Sequence, residues 1–276
     1  MSGERFPVLL YHSVADAVAP GFATWAVSPE LFGAHMDALA SEGYSAFTVS
    51  ELARRAFGHD AALPARTVAI TFDDGFEDFY TAAWPQLVRY GLTATVFVTT
   101  GHVGATSAWL QRQGEGDRPL MSWSQIAAIS QAGVECAAHS RTHVQLDTVA
   151  RSRAREEIVH SSRELAAVVG PVTSFAYPHG YHSRHVRQEV RRAGLGSAWA
   201  VADGMASASD DRYAIPRIIV RAGTSAETLV KMLDGARRPP RPRPLRRTAW
   251  RSLRRAGVEP FVERWSGVAR AGGASR

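Results

Sequence analysis

Two short segments, Thr71-Phe72-Asp73-Asp74-Gly75 and His139-Ser140-Arg141-Thr142-His143, bring together two adjacent carboxylates and two imidazoles four residues apart. One carboxylate and two histidines can hold a divalent metal with a position left open for water, the mark of a catalytic rather than a structural site. The second carboxylate is then free to take a proton from that water.

Such a site needs elements that carry both segments to one place. The chain alternates short apolar runs with helical patterns. The runs Val8–Tyr11, Val68–Phe72, Thr93–Thr99, Val134–Ala138 and Val172–Tyr177 predict strands. They end at His12, at Asp73 and Asp74, near His102, at His139, and at Pro178-His179-Gly180. Between them the helix signals are legible. Ser28-Pro29-Glu30 offers a cap with proline at the first helical position. Ser122-Trp123-Ser124-Gln125 reads as a capping box, with Gly133 as the stop. Thr148–Val169 predicts a long charged helix closed by Gly170, and Ser183–Ala193 another closed by Gly194. Alternating strands and helices imply a parallel sheet with helices outside. The polar candidates fall just after the strands, where barrel active sites are built.

At 276 residues and 45% hydrophobic content, the chain is one large domain, or a domain plus a tail, with enough apolar material for a core. The single Cys136 excludes an internal disulfide and suits a small buried hydrophobe. The apolar run Phe6–Tyr11 is too short for a secretion signal or a membrane span, so the expected location is cytoplasmic. The net charge of +6 is unevenly placed: residues 237–276 carry +10 and residues 1–236 carry −4. The segment from Arg237 to Pro244 reads as a stiff, extended linker. Beyond it, Leu245, Trp250, Leu253, Phe261 and Trp265 lie among arginines, as in basic amphipathic helices. That pattern suits an anionic membrane surface, making the protein peripheral there, or a protein partner. Nucleic acid is disfavoured, because no DNA- or RNA-binding motif accompanies the charge.

With these residues in view, the chain resembles the polysaccharide deacetylase family, the NodB-homology carbohydrate esterases. The TFDDG and HSRTH segments match that family's first two motifs fully. Phe175-Ala176-Tyr177-Pro178-His179-Gly180 looks like the third, which usually reads Arg-x-Pro-Tyr/Phe-Gly. Leu9-Leu10-Tyr11-His12-Ser13-Val14 looks like the opening of the subgroup that includes exopolysaccharide poly-N-acetylglucosamine deacetylases. The resemblance runs from about Val8 to Leu233. It implies an α/β fold, a distorted (β/α) barrel of about seven parallel strands filling residues 1–236, with the basic tail 237–276 outside it.

The resemblance also implies roles. Asp73 corresponds to the general base, and Asp74, His139 and His143 to the ligands of a divalent metal, usually zinc. Pro178 and His179 occupy positions where a backbone N–H helps hold an oxyanion. His12 corresponds to the general acid, which this subgroup provides near the N-terminus. An Asp-Asp-Gly triplet alone is often a turn, and a lone pair of histidines at this spacing is often a helix face; their co-occurrence is what carries weight. His102, His160, His182 and His185 are read as non-ligands.

Two departures stand out. Ala176 replaces an arginine that orients the base in many members, and Arg217 is the candidate replacement. His179 replaces the usual aromatic residue, and no late Leu-x-His motif follows Arg217. Trp199 and Leu195 are candidates for an acetyl pocket, although ordinary core positions are the commoner role. The expected activity is metal-dependent removal of an N-acetyl group from a polysaccharide, glycolipid or nucleotide-sugar precursor. The rivals are a related amide or ester hydrolase with a non-sugar substrate, and a catalytically impaired binding protein of the same fold.

Overall fold

The apolar runs become short parallel strands. The computed structural model describes residues 5–58 and 62–234. The linker and amphipathic tail expected at 237–276 lie outside the described residues. The strands along the main path of the central sheet are β1 (Val8–Tyr11), β2 (Thr67–Phe72), β3 (Thr95–Val98), β4 (Glu135–Ala138), β5 (Ser174–Ala176), β6 (Ser197–Trp199) and β7 (Ile218–Ile219). Their spatial order is β6-β5-β4-β3-β2-β1-β7, every pair parallel. The sheet curls until its two edges meet. Trp199 bridges to Ile215, the Ala200 N–H donates to the Ile215 carbonyl at 2.8 Å, and the Ile215 N–H donates to the Ala198 carbonyl at 3.0 Å. The result is the expected distorted barrel, closed by a short seam. Strands β6 and β7 are too short to register as apolar periodicity, which is why the sequence does not announce them.

Side chains alternate between the two faces of a strand. One set packs inside the barrel: Val8, Ala69, Phe97, Ala137, Ala176, Trp199 and Ile215 share one cluster. The other set, including Leu9, Ile70, Phe72, Val96 and Val98, packs in a second core with residues of the outer helices, such as Phe32 and Met36. Trp199 is fully buried within the barrel, and Leu195 packs outside it with Val186 and Val190, so neither wall expected for an acetyl pocket is exposed there. Cys136 is buried as expected, and burial followed by the nearby Glu135 charge pushes its thiol up to about 12.

The helices are α1 (Pro29–Ser41), α2 (Val49–Phe57), α3 (Trp84–Arg89), α4 (Trp123–Gln131), α5 (Arg151–Val169), α6 (Arg184–Arg192) and α7 (Ala226–Leu233). Ser28 caps α1 by accepting the Leu31 N–H at 3.1 Å, with Pro29 at the first position. Ser122 and Gln125 form the reciprocal capping box of α4. Helix α5 begins three residues later than the pattern suggests, because Thr148 is spent on a turn. Its N–H and hydroxyl both donate to the Gln145 carbonyl, at 3.1 and 2.8 Å. No helix among the described residues is long and apolar enough to cross a membrane.

Candidate active site

The alternation that builds the barrel interior also delivers the first carboxylate. Ala69 and Thr71 lie on the inner face of β2, so Asp73, two residues on, continues that face at the strand's C-terminal end. The chain then turns sharply. Asp74 has φ 76° and Gly75 has φ 83°, the left-handed region that aspartate and glycine enter most readily. Two neighbours in sequence therefore face different partners.

Asp73 faces Arg217. Arg217 Nη1 donates to Asp73 Oδ1 at 2.6 Å, and Nη2 donates to Oδ2 at 2.8 Å. The arginine is wholly buried and also donates to Thr71 Oγ1 at 3.2 Å and to the Ala200 carbonyl at 3.3 Å. Its guanidinium also lies 5.2 Å from the centre of the Phe97 ring. Burial alone would raise the Asp73 pKa; the Arg217 charge, helped by His139, instead holds it below the usual aspartate value.

Asp74 faces the two histidines. Its Oδ1 lies 3.0 Å from His143 Nε2 and 3.4 Å from His139 Nε2. Burial would raise its pKa as well, but the His143 and His139 imidazoles hold it well below the usual value. His139 follows β4 directly, and its Nδ1 donates to the Ala176 carbonyl at 2.9 Å. The pair of histidines is not on a helix. The segment 139–143 is a loop in which Ser140 (φ 62°) and His143 (φ 57°) are left-handed, and the Ser140 hydroxyl accepts the His143 N–H at 3.1 Å.

The donor set fits a divalent cation. A carbonyl only accepts, so His139 Nδ1 carries the proton and a neutral ring presents its Nε2 lone pair toward Asp74. Asp74 Oδ1 is buried and makes no hydrogen bond of its own. Lone pairs thus converge on one point, where a cation satisfies all three groups; their ligand atoms lie within 4.8 Å of one another. Two imidazole nitrogens and a carboxylate suit zinc and similar divalent ions. Burial disfavours a charged His139, but the Asp73 and Asp74 charges outweigh it and raise its pKa.

His12 follows β1 at the same rim, half-buried, with its ring 5.1 Å from that of Trp25 and its Nδ1 buried and unpartnered. Burial lowers its pKa against the opposing pull of Asp74 and Asp73. Pro178 and His179 lie in a tight turn after β5, with His179 at φ 58° and its exposed ring 4.7 Å from that of His143. Gly180 is obligatory in this turn, because a Cβ there would approach the Val201 side chain to 2.3 Å. His102, His160, His182 and His185 stay outside the ligand cluster; His185, for one, contacts Ser183.

The sequence did not point to Trp109. Its ring stacks on His143 at 4.8 Å and 24°, with His102 edge-on at 5.0 Å. It lies in the segment between β3 and α4, where periodicity carries no information. The clamp beside His12 was also missed. Asp78 accepts the Ser13 hydroxyl at 2.8 Å and the Val14 N–H at 3.1 Å, and Arg118 pairs with Asp78 at 2.7 Å.

Comparisons with known proteins place the chain in a family. Residues 60–198, half of the chain, match the sequence profile of the polysaccharide deacetylases. The Bacillus subtilis protein YxkH is 26% identical over 222 residues, covering 80% of this chain and 73% of YxkH. The poly-beta-1,6-N-acetyl-D-glucosamine N-deacetylase of Staphylococcus epidermidis is 26% identical over 185 residues, covering 62% of this chain and 60% of that protein. The solved structure of the Streptococcus pyogenes deacetylase PplD, in complex with acetate, has a TM-score of 0.73 at 25% identity, covering 84% of this chain and 99% of that one.

Proposed function

The chain belongs to the polysaccharide deacetylase family, and on that basis we propose that it hydrolyses the acetamide of an N-acetylated sugar, using a divalent metal, zinc above all, held by Asp74, His139 and His143. The observation that carries this reading is the split between adjacent carboxylates. One is fixed and kept ionised by a bidentate arginine, and the other faces two imidazole nitrogens without a hydrogen bond. A divalent cation at that point supplies Lewis acidity to a water and to the acetyl carbonyl.

The remaining steps belong to the chain. Water adds across the acetamide C–N bond, its oxygen to the acyl carbon and a proton to the nitrogen. Asp73 accepts the proton of the attacking water; Arg217 keeps it ionised and aims it, and Asp73 Oδ2 lies 3.9 Å from His139 Nε2, beside the ligand set. The backbone N–H of His179 donates to the oxyanion. Protonated His12 donates to the departing nitrogen, without which an amine is a very poor leaving group. Acetate and a free sugar amine result. The staphylococcal relative is named for a β-1,6-linked polymer. A glycolipid or nucleotide-sugar precursor carries the same acetamide and is the other substrate class for this site.

The test is acetate release from N-acetylglucosamine oligomers and N-acetylhexosamine donors. Activity should disappear with chelation and return with zinc. Undiminished release from verified metal-free protein would sink the metal role. Turnover of aryl acetates but of no N-acetylhexosamine would transfer the site to a different amide or ester.

A further inference from the structure

The two histidine ligands are held in different ways. His139 is set by the sheet: its N–H donates to the Val98 carbonyl at 3.0 Å, and its Nδ1 donates to Ala176. His143 has no such support. Its Nδ1 is buried with no hydrogen-bond partner, so the group that usually fixes a ligating imidazole through its second nitrogen is missing. Trp109 and His179 pack on its ring, but with no hydrogen bond at Nδ1 the placement of the ring depends on the backbone that leads into it. That backbone is left-handed at Ser140 and at His143, a conformation that non-glycine residues keep only when their surroundings hold them.

What holds it is one carboxylate on α5. Glu157 is 1% exposed. Its Oε2 accepts the N–H of Arg141 at 2.8 Å and the N–H of Thr142 at 2.7 Å. Its Oε1 accepts the Thr142 hydroxyl at 2.6 Å, and Arg153 Nη2, one turn earlier on the helix, pairs with it at 2.6 Å. A carboxylate with three donors and a cation is fully satisfied, so its burial is tolerated. From the other side, the Gly101 N–H donates to the Arg141 carbonyl at 2.8 Å, in an approach so close that a Cβ at residue 101 would come within 2.6 Å of that oxygen. The two residues before His143 are thus gripped from both sides.

We propose that Glu157 is the positioning residue for the metal site, fixing His143 through the backbone of Arg141 and Thr142 in place of a partner on the imidazole. The proposal rests on the reading of Asp74, His139 and His143 as metal ligands. Glu157 touches neither metal nor substrate; removing it lets the loop relax out of its left-handed conformation and take the His143 nitrogen away from Asp74.

The test measures metal binding by the full-length protein. Zinc affinity is determined by competition with a chromogenic chelator, and the cobalt derivative is examined by visible absorption. Glu157→Ala should weaken zinc binding by about 10–100-fold and alter the cobalt spectrum. Glu157→Gln should fall between it and the wild type, because its amide oxygen still accepts an N–H. Glu156→Gln, on the exposed neighbour, should match the wild type. Wild-type affinity and spectrum in the Glu157 variants would overturn the proposal. If Glu157→Ala does not fold, the nearly isosteric Glu157→Gln decides. No saturable binding by the wild type would remove the metal reading itself, and the proposal with it.

Discussion

The barrel encloses carboxylates at both ends, and they titrate in opposite directions. At the base, Glu135 opens β4 and points its carboxyl at the start of α2. Its Oε2 accepts the Ser50 N–H at 3.0 Å and the Thr95 hydroxyl at 2.9 Å, while Thr95 Oγ1 accepts the Val49 N–H at 3.0 Å. The two side chains finish the N-terminus of that helix. Burial raises the Glu135 pKa, against the donors at Ser50 and Thr95. At the rim, Asp73 and Asp74 are no less buried, yet both pKa values are lowered. The difference lies in the partners. Glu135 meets neutral donors at Ser50 and Thr95. Asp73 meets a full cation, and Asp74 meets imidazole nitrogens that need a cation or proton between them. Burial of an acid does not by itself mark a site; an acceptor without its donor does.

The contrast breaks first at Asp73. Asp73→Asn should keep the metal and lose about 10²–10⁴-fold in acetamide turnover, because an amide cannot accept the water's proton. Steady-state rates beside elemental analysis check this, and wild-type turnover would move the base elsewhere.

Arg217 is next. Arg217→Ala leaves Asp73 buried without its cation, which should cost about 3–5 kcal/mol of stability in denaturant titrations. Desolvation would then govern Asp73 and raise its pKa. A base must be ionised to work, so the acid limb of the pH–rate profile should move to higher pH. An unmoved limb would mean that Arg217 braces the barrel without setting the base.

His12→Ala should depress acetamide turnover by about 10²-fold while leaving aryl acetates within about tenfold, since a phenolate departs unaided. Burial favours the neutral ring, so the acid form is lost below the usual histidine pKa. Wild-type acetamide turnover should fall as pH rises past that lowered value, and the limb should vanish in the variant. Equal losses on both substrates would assign His12 a structural role.

The smallest effect belongs to the base of the barrel. The raised Glu135 pKa means that its stabilising contribution is complete at low pH and lost as pH rises through the raised value. Glu135→Gln cannot ionise, so its stability relative to the wild type should improve as pH rises above the usual glutamate pKa, with turnover unchanged. The rim carboxylates act with the opposite sign, stabilising above the usual aspartate pKa and failing as pH falls through their lowered values. A turnover loss in Glu135→Gln would join the two ends functionally and undo the contrast.

Much of this was legible residue by residue. Ser28, Ser122 with Gln125, and Ser183 act as the caps their types and spacing announce. Apolar runs ending at His12, Asp73 and His139 become strands that end there. The spacing of His139 and His143 was less informative, since the structure places them on a loop whose left-handed residues no propensity scale signals. Glu157 reads in the sequence as one more charge on a charged helix, because the donors it accepts come from the far side of a turn. Trp109 reads as a loop aromatic until its ring is seen against His143.

The sequence by itself determined which groups exist and at which strand ends they emerge. Those facts follow from side-chain alternation and capping, which act over a few residues. Which carboxylate becomes the base and which the ligand is a tertiary decision. Asp73 and Asp74 are chemically identical and adjacent; they diverge because the backbone turns left-handed at Asp74 and because β7 pairs beside β1. That pairing brings Arg217 from 144 residues away to Asp73. No local rule spans such a distance, and only closure of the barrel could make the pair.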